Sequence, residues 1–402
     1  MLDILSYLII GFTPLLLIAF WLGKKQAVHD KNIRFNSQPE YYGYYTSLMM
    51  LWPVILITVI SSIIQKINLF SLPNSMVIVA LVLASGLSLW LSLRNVQPHF
   101  RARQWIESKI YYLLIAAALI SILTTLGIVL AIVFEAVRFF ELVSFWDFLT
   151  GTQWNPDAAH GTDIGGLFGS VPIFAGTFMI TAIALAVAIP IGLLSAIYMS
   201  EYASTRIRDI AKPMLEVLAG IPTVVYGFFA AITVSPLVVD FALSLGMHAD
   251  YTNALAPGIV MGIMIIPFVS SLSDDVIRAV PQSMRDGSAA LGMTHSETIV
   301  HIVLPAALPG IVAAFLLALS RAIGETMIVV MAAGLRPNLS WNPLEGMTTV
   351  TVRIVDALTG DQAFDSPETL SAFGLGLVLL SVTLTLNVLS IAIVRRFREK
   401  YA

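Results

Sequence analysis

Of 402 residues, 57% are hydrophobic and only 12% are charged, a balance too apolar for a water-facing globule, so the chain reads as a polytopic membrane protein. The absence of cysteine excludes disulfides, thiolate metal sites and cysteine nucleophiles. A net charge of -3 argues against a nucleic-acid partner.

Apolar runs long enough to cross about 30 Å of hydrocarbon lie at 2–22, 46–64, 75–93, 110–134, 171–198, 213–239, 254–272, 308–333 and 370–394. These are the nine predicted membrane helices, with lipid as their surrounding partner. The first run has no basic residues before it and no small-residue cleavage site after it, so it is expected to persist as an anchor. A polar loop, 23–45, separates it from the second and ends in Tyr41, Tyr42, Tyr44 and Tyr45, a pattern that marks a membrane interface. No chemistry stands out before Ser108.

Lys and Arg gather on one side of this layout, in the loops 24–34, 94–109, 206–212, 278–285 and 395–400, against only Lys66, Arg138, Arg336 and Arg353 on the other. The positive-inside rule then puts the N-terminus outside and the C-terminus in the cytoplasm of a multi-pass cytoplasmic-membrane protein. The two long loops on the outer side, 138–170 and 334–369, are rich in Gly, Asp, Pro and Trp and are expected to be turn-forming and water-facing.

One cytoplasmic loop, 286–305, is a polar island between apolar runs. Pro281 suits the first turn of a helix and Gly292 its C′ position, so a short helix is expected over 282–291. Thr294 and Glu297 make a capping-box pattern that opens a second helix, 296–304, expected to end at Pro305. Two short helices at a glycine elbow can present a knob to a cytoplasmic partner, although an ordinary polar loop with helical content reads the same way.

From Asp286 the spacing runs to Gly292 and then, after nine residues, to Ile302-Val303-Leu304-Pro305. It resembles the EAA motif of ABC-importer permeases, with Asp286 in place of Glu and Gly287 and Ser288 in place of two alanines. The resemblance implies a coupling element within 282–305 that sits in a groove of an ATP-hydrolysing subunit, with Arg285, Asp286, Gly287, Ser288, Gly292, Met293, Leu304 and Pro305 forming it.

Two further segments, Leu215-Glu-Val-Leu-Ala-Gly220-Ile-Pro222-Thr-Val-Val-Tyr226-Gly227 and Arg321-Ala-Ile-Gly-Glu325-Thr326-Met327, resemble signatures of phosphate-importer permeases, and the segment 148–156, with Trp154, Asn155 and Pro156, is similar too. Because it ends in Glu-Thr-Met, the Arg321 segment resembles the PstC type rather than its PstA partner. The resemblance covers 110–402 and implies a type I ABC importer permease fold, all-α, with a MetI-like six-helix core; residues 1–109 fall outside it as a three-span extension. It also implies partners: ATP-binding ABC subunits, a second permease of the PstA type or an identical copy, and a phosphate-binding protein that Trp154, Asn155 and Pro156 would touch if they are not an interfacial anchor. This chain itself is expected to bind no cofactor, ATP and Mg being held by the ATPase.

Arg321 lies about thirteen residues into its predicted span, hence about 20 Å deep, where a charge costs at least about 2.5–3.5 kcal/mol. Glu325, four residues on, is expected on the same helix face. The two could form an ion pair that only fixes packing. Alternatively, with Thr326, they line a substrate pathway: guanidinium matches the oxygens of phosphate, and a carboxylate can accept the proton that phosphate retains near neutral pH while repelling sulfate. Gly220, Pro222, Tyr226 and Gly227 mark a kink that serves gating or plain packing. Glu216, Asp274 and Asp275 are expected to be solvated near headgroups or Arg278.

No HExxH zinc motif and no Gly-x-x-x-x-Gly-Lys-[Ser/Thr] loop occurs, so the chain is expected to be a transport subunit rather than an enzyme. The expected function is import of inorganic phosphate by alternating access; sulfate or molybdate permeases are the alternative, then a secondary anion transporter, for which acids in broken helices or inverted repeats are not evident.

Overall fold

The computed structural model describes residues 2–28, 35–66, 74–156, 166–360 and 363–401. Lys31 and Arg34 of the first basic loop and 157–165 of the first outer loop lie outside the described residues. Among those described, every named element is a helix, and extended pairing is confined to two isolated bridges, Trp154 with Phe168 and Asn253 with Gly346.

The chain divides into two compact units, 1–126 and 127–402. In the first, α1 (Leu2–Val28), α2 (Pro39–Lys66) and α3 (Asn74–Arg94) join the first part of α4 (Ala102–Leu142). Here the tyrosines do not end a loop, because helix α2 already starts at Pro39, a residue suited to a first turn where its missing N–H costs nothing. Tyr42 and Tyr45 are buried, the Tyr42 hydroxyl donates to Phe100 O at 2.7 Å, and Tyr45 meets Trp105 edge-on at 4.9 Å.

The second unit continues α4 and adds α5 (Phe145–Thr150), α6 (Val171–Ile197), α7 (Thr205–Ala219), α8 (Thr223–Phe229), α9 (Ser235–Ser244) and α10 (Leu255–Arg278). After them come α11 (Gln282–Ala290), α12 (His295–Thr298), α13 (Leu304–Ile323), α14 (Met327–Ala332), α15 (Val350–Thr359) and α16 (Pro367–Tyr401). Its centre is α10, where Val260, Met261, Ile265 and Val269 pack on Ile180, Ala184 and Ala188 of α6 and on Ala318 and Ala322 of α13. Alanines suit this seam because helices in lipid associate by close packing, with no hydrophobic drive between them. In the first unit, α4 exposes Leu113, Ile120 and Leu123, as a lipid-facing helix does.

Eight helices among the described residues are long and apolar enough to cross a membrane, and the run 2–22 forms α1. Two spans differ from expectation. The run 213–239 is not one helix: α7 ends at Ala219, the chain turns through Gly220, Ile221 and Pro222, and the span is Thr223–Ser244, joined by a π turn at Ala230–Val234. Pro222 lacks an N–H and pushes Ile221 out of the α region, which ends the helix before it. The run 308–333 is displaced the other way, to His295–Ile323. Pro305 does not stop it, because Leu304 N–H reaches back five residues to Ile299 O in a π turn and Pro305 falls in the first turn of the resumed α-helix.

The outer loops are folded rather than simply water-facing. Trp154 is 7% exposed and packs edge-on against Phe168 at 5.6 Å and Phe148 at 6.4 Å, with Phe139 completing the cluster. It is therefore neither a docking residue nor an interfacial anchor. In the second loop, Asp250 N–H donates to Leu344 O at 2.9 Å and Leu255 N–H to Pro343 O at 3.0 Å, pinning 343–346 to the start of α10.

Candidate functional site

The polar island folds into the expected elbow, with each part set by local chemistry. Gly292 has φ +80, its N–H bonds Ala289 O at 3.0 Å, and Met293 N–H bonds Ser288 O at 3.2 Å, a Schellman closure of α11. The capping box opens α12: Thr294 N–H donates to Glu297 Oε2 at 2.8 Å while Glu297 N–H donates to Thr294 Oγ1 at 3.4 Å. Between the arms, the Ser288 and Thr298 hydroxyls are hydrogen-bonded and buried.

The residues expected to couple with a partner therefore split by location. Asp286, Gly287 and Gly292 are exposed, with the Asp286 carboxylate accepting from Gln282 at 3.0 Å. Ser288 is internal glue. Arg285 faces inward, holding the Glu201 carboxylate at 2.6 and 2.7 Å and Ile277 O at 3.0 Å. Met293 is half-buried at the tip, and Leu304 and Pro305 belong to the long helix that leaves the elbow. Sequence reasoning missed Leu291, which at 84% exposure is the most prominent apolar side chain of the knob.

Arg321 and Glu325 do not share a helix face. Helix α13 ends at Ile323, Gly324 caps it, and α14 begins only at Met327. At the break, the Glu325 carboxylate accepts from Met327 N–H at 3.2 Å while its backbone oxygen accepts from the Thr351 hydroxyl at 2.9 Å. Thr326 sits at the N-cap of α14 and donates to Gly324 O at 3.3 Å. Among the described residues no carboxylate pairs with Arg321, whose guanidinium lies 5.6 Å from the Phe268 ring centroid. Arg321 is thus in the last turn of α13 but level with the middle of α10, where Phe268 lies.

Arg321 lines a cavity of about 220 Å³ with Lys212, Leu215, Glu216 and Ala219 from α7, Met199, and Met264, Pro267, Phe268, Ser271 and Asp274 from α10. The cavity lies on the elbow side of Arg321, since Glu201 and Arg278, which neighbour its wall, also line the hollow beneath the elbow. Asp274 is not solvated: it is 0% exposed and is held by Arg208 at 3.0 Å, Arg278 at 3.1 Å and Lys212 at 3.4 Å. Asp275 is the exposed member of that pair. The signal for this network was present in the sequence, because Arg208, Lys212 and Glu216 recur at four-residue intervals and Asp274 stands four before Arg278.

Around the Gly220 turn, the Tyr226 hydroxyl donates to Leu218 O at 2.9 Å and ties α8 back to α7. Gly227 is a packing site: a Cβ there would meet Met331 Cβ at 2.9 Å and Met327 O at 3.0 Å, so only glycine lets α8 lie against α14.

The sequence profile described as "Binding-protein-dependent transport system inner membrane component" matches residues 188–401, from α6 through the elbow to α16. The chain belongs to this family. This permease is 34% identical over 280 residues to the probable ABC transporter permease protein YqgH of Bacillus subtilis, an alignment covering 69% of this chain and 87% of that one. It is also 34% identical to phosphate transport system permease protein PstC 1 of Mycobacterium tuberculosis (62% of this chain, 81% of that one) and 29% identical to PstA 1 of the same species (62% and 77%). Among solved structures it aligns with the MetNI methionine ABC transporter at 16% identity, covering 57% of this chain and 94% of that one, with a TM-score of 0.41. As a member of the family, the permease is a multi-pass inner-membrane component that works with ABC partner subunits.

Proposed function

We propose that this permease carries inorganic phosphate inward across the cytoplasmic membrane, with its N-terminus outside and its C-terminus in the cytoplasm. ATP and Mg act on separate ATP-binding subunits that receive the elbow, a phosphate-binding protein delivers the anion outside, and a second permease of the PstA type, or an identical copy, completes the channel. The observation that carries this reading is the Arg321 guanidinium, which lines a cavity and has no carboxylate partner among the described residues. Arg321 is exposed on that cavity, and its planar fork of donors is matched by the oxygens of an oxyanion. Relatives named as phosphate permeases support that choice of anion.

In this scheme, ATP-driven closure of the partner subunits shifts the elbow and opens the pathway to the outside. Phosphate then passes the helix break at Glu325 and Thr326, meets Arg321, and leaves through the elbow-side cavity when hydrolysis restores the starting state. Uptake of labelled phosphate by cells expressing the complete transporter tests the reading. Uptake is expected to depend on this chain and to resist excess sulfate and molybdate; chain-dependent uptake of either of those ions in place of phosphate would overturn it.

A further inference from the structure

We propose that Lys212 and Glu216 of α7 join Arg321 in a binding site for a tetrahedral oxyanion that still carries a proton, at the elbow-side mouth of the pathway. The inference rests on the phosphate reading above and adds the residues that hold and select the anion there. All three side chains line the same cavity.

Lys212 is the surplus cation of the Asp274 network. Asp274 carries one negative charge, and two guanidinium groups already hold it at 3.0 and 3.1 Å. Lys212 approaches only to 3.4 Å, reaches Asp275 only at 3.5 Å, and keeps 32% of its side chain exposed. Such long, partly solvated contacts contribute little, so the ammonium can turn to another anion and leave Asp274 still satisfied. Arg321 has no carboxylate partner among the described residues. Around the cavity, four cations (Arg208, Lys212, Arg278 and Arg321) face three carboxylates (Asp274, Asp275 and Glu216), and the one positive charge left over attracts an anion to Lys212 and Arg321.

Glu216 explains which anion. It stands one helical turn beyond Lys212, on the same face of α7. A carboxylate beside an anion site repels a fully ionised ligand, which has no hydrogen to donate. Monohydrogen phosphate does have one, and its O–H can bond to the Glu216 oxygen while its other oxygens face Lys212 and Arg321. Selection then comes from an unpaired repulsion in the wrong complex rather than from extra attraction in the right one. Glu216 thus shares a cavity with Arg321, whereas Glu325 does not line it. Glu216 is exposed and makes no contact with buried Asp274, so its substitution leaves the packed unit intact.

Footprinting of the purified complete chain in lipid nanodiscs tests this. The rate at which an amine-acylating reagent modifies Lys212 is read by mass spectrometry in inorganic phosphate or sulfate. At a phosphate concentration ten times its Kd, labelling of Lys212 is expected to slow about tenfold. The protection is expected to vanish in Arg321→Gln, and sulfate is expected to protect only in Glu216→Gln. Unchanged labelling in phosphate, in a chain that supports phosphate uptake within its transporter, would overturn the site while leaving the transport reading intact. Equal protection by sulfate in the unsubstituted chain would overturn the role of Glu216. Protection by phosphate with no phosphate uptake would leave the site standing and overturn the transport reading instead.

Discussion

Arg321 concentrates the transport chemistry in one side chain, because its charge is permanent and its fork is planar. Charge-assisted hydrogen bonds of this kind contribute about 1.5–3 kcal/mol, so Arg321→Gln is expected to slow phosphate uptake about tenfold or more while the protein still reaches the membrane. Gly292 presents a different residue-scale constraint. With φ +80 and open space within 4 Å of where a Cβ would stand, Gly292→Ala meets backbone strain alone. A loss of about 1–2 kcal/mol is expected, visible as weaker ATPase stimulation by the elbow rather than loss of expression. Arg285→Ala is more damaging, because Glu201, 6% exposed at its side chain, then keeps a charge with no partner. About 3 kcal/mol is the expected cost, read as a lower melting temperature of the purified chain.

At the scale of elements, the two helix breaks decide what the pathway looks like. Hydropathy alone runs straight through Gly220–Pro222 and Gly324–Thr326, because both turns are built from residues that membrane helices tolerate. Only the packing shows that α7 leaves the span and becomes a cavity wall, and that α13 stops at Ile323. The Tyr226 hydroxyl bond to Leu218 O crosses the first break, so Tyr226→Phe is expected to loosen α7 by about 1 kcal/mol and to speed amide exchange in 205–219 with little change elsewhere. The elbow itself was legible, since its Gly292 turn and Thr294–Glu297 box are local devices whose partners lie within a few residues.

For the whole molecule, the exposed tip at Leu291 and the absence of cysteine combine into a direct test of orientation and partner. A single Leu291→Cys substitution introduces the only thiol of the chain. It is expected to react with a membrane-impermeant reagent only from the cytoplasmic side and to cross-link to the ATP-binding subunit in the assembled transporter. Labelling from the outside would reverse the orientation drawn from the Lys and Arg distribution.

Composition and span spacing were sufficient to identify a polytopic membrane protein, and local signals its elbow, because each depends on solvent preference or on hydrogen bonds between near neighbours in the chain; the permease reading came from the resemblance of 286–305 to a family motif. The chemistry around Arg321 was not readable in that way. A four-residue spacing from Arg321 to Glu325 implies one face only while the helix continues, and here it ends between them. The burial of Trp154, the neutralisation of Asp274 by three cations and the meeting of Lys212, Glu216 and Arg321 on one cavity all join residues distant in sequence. Tertiary packing decided them, because a charge's partner and its exposure are set by which helices lie against it.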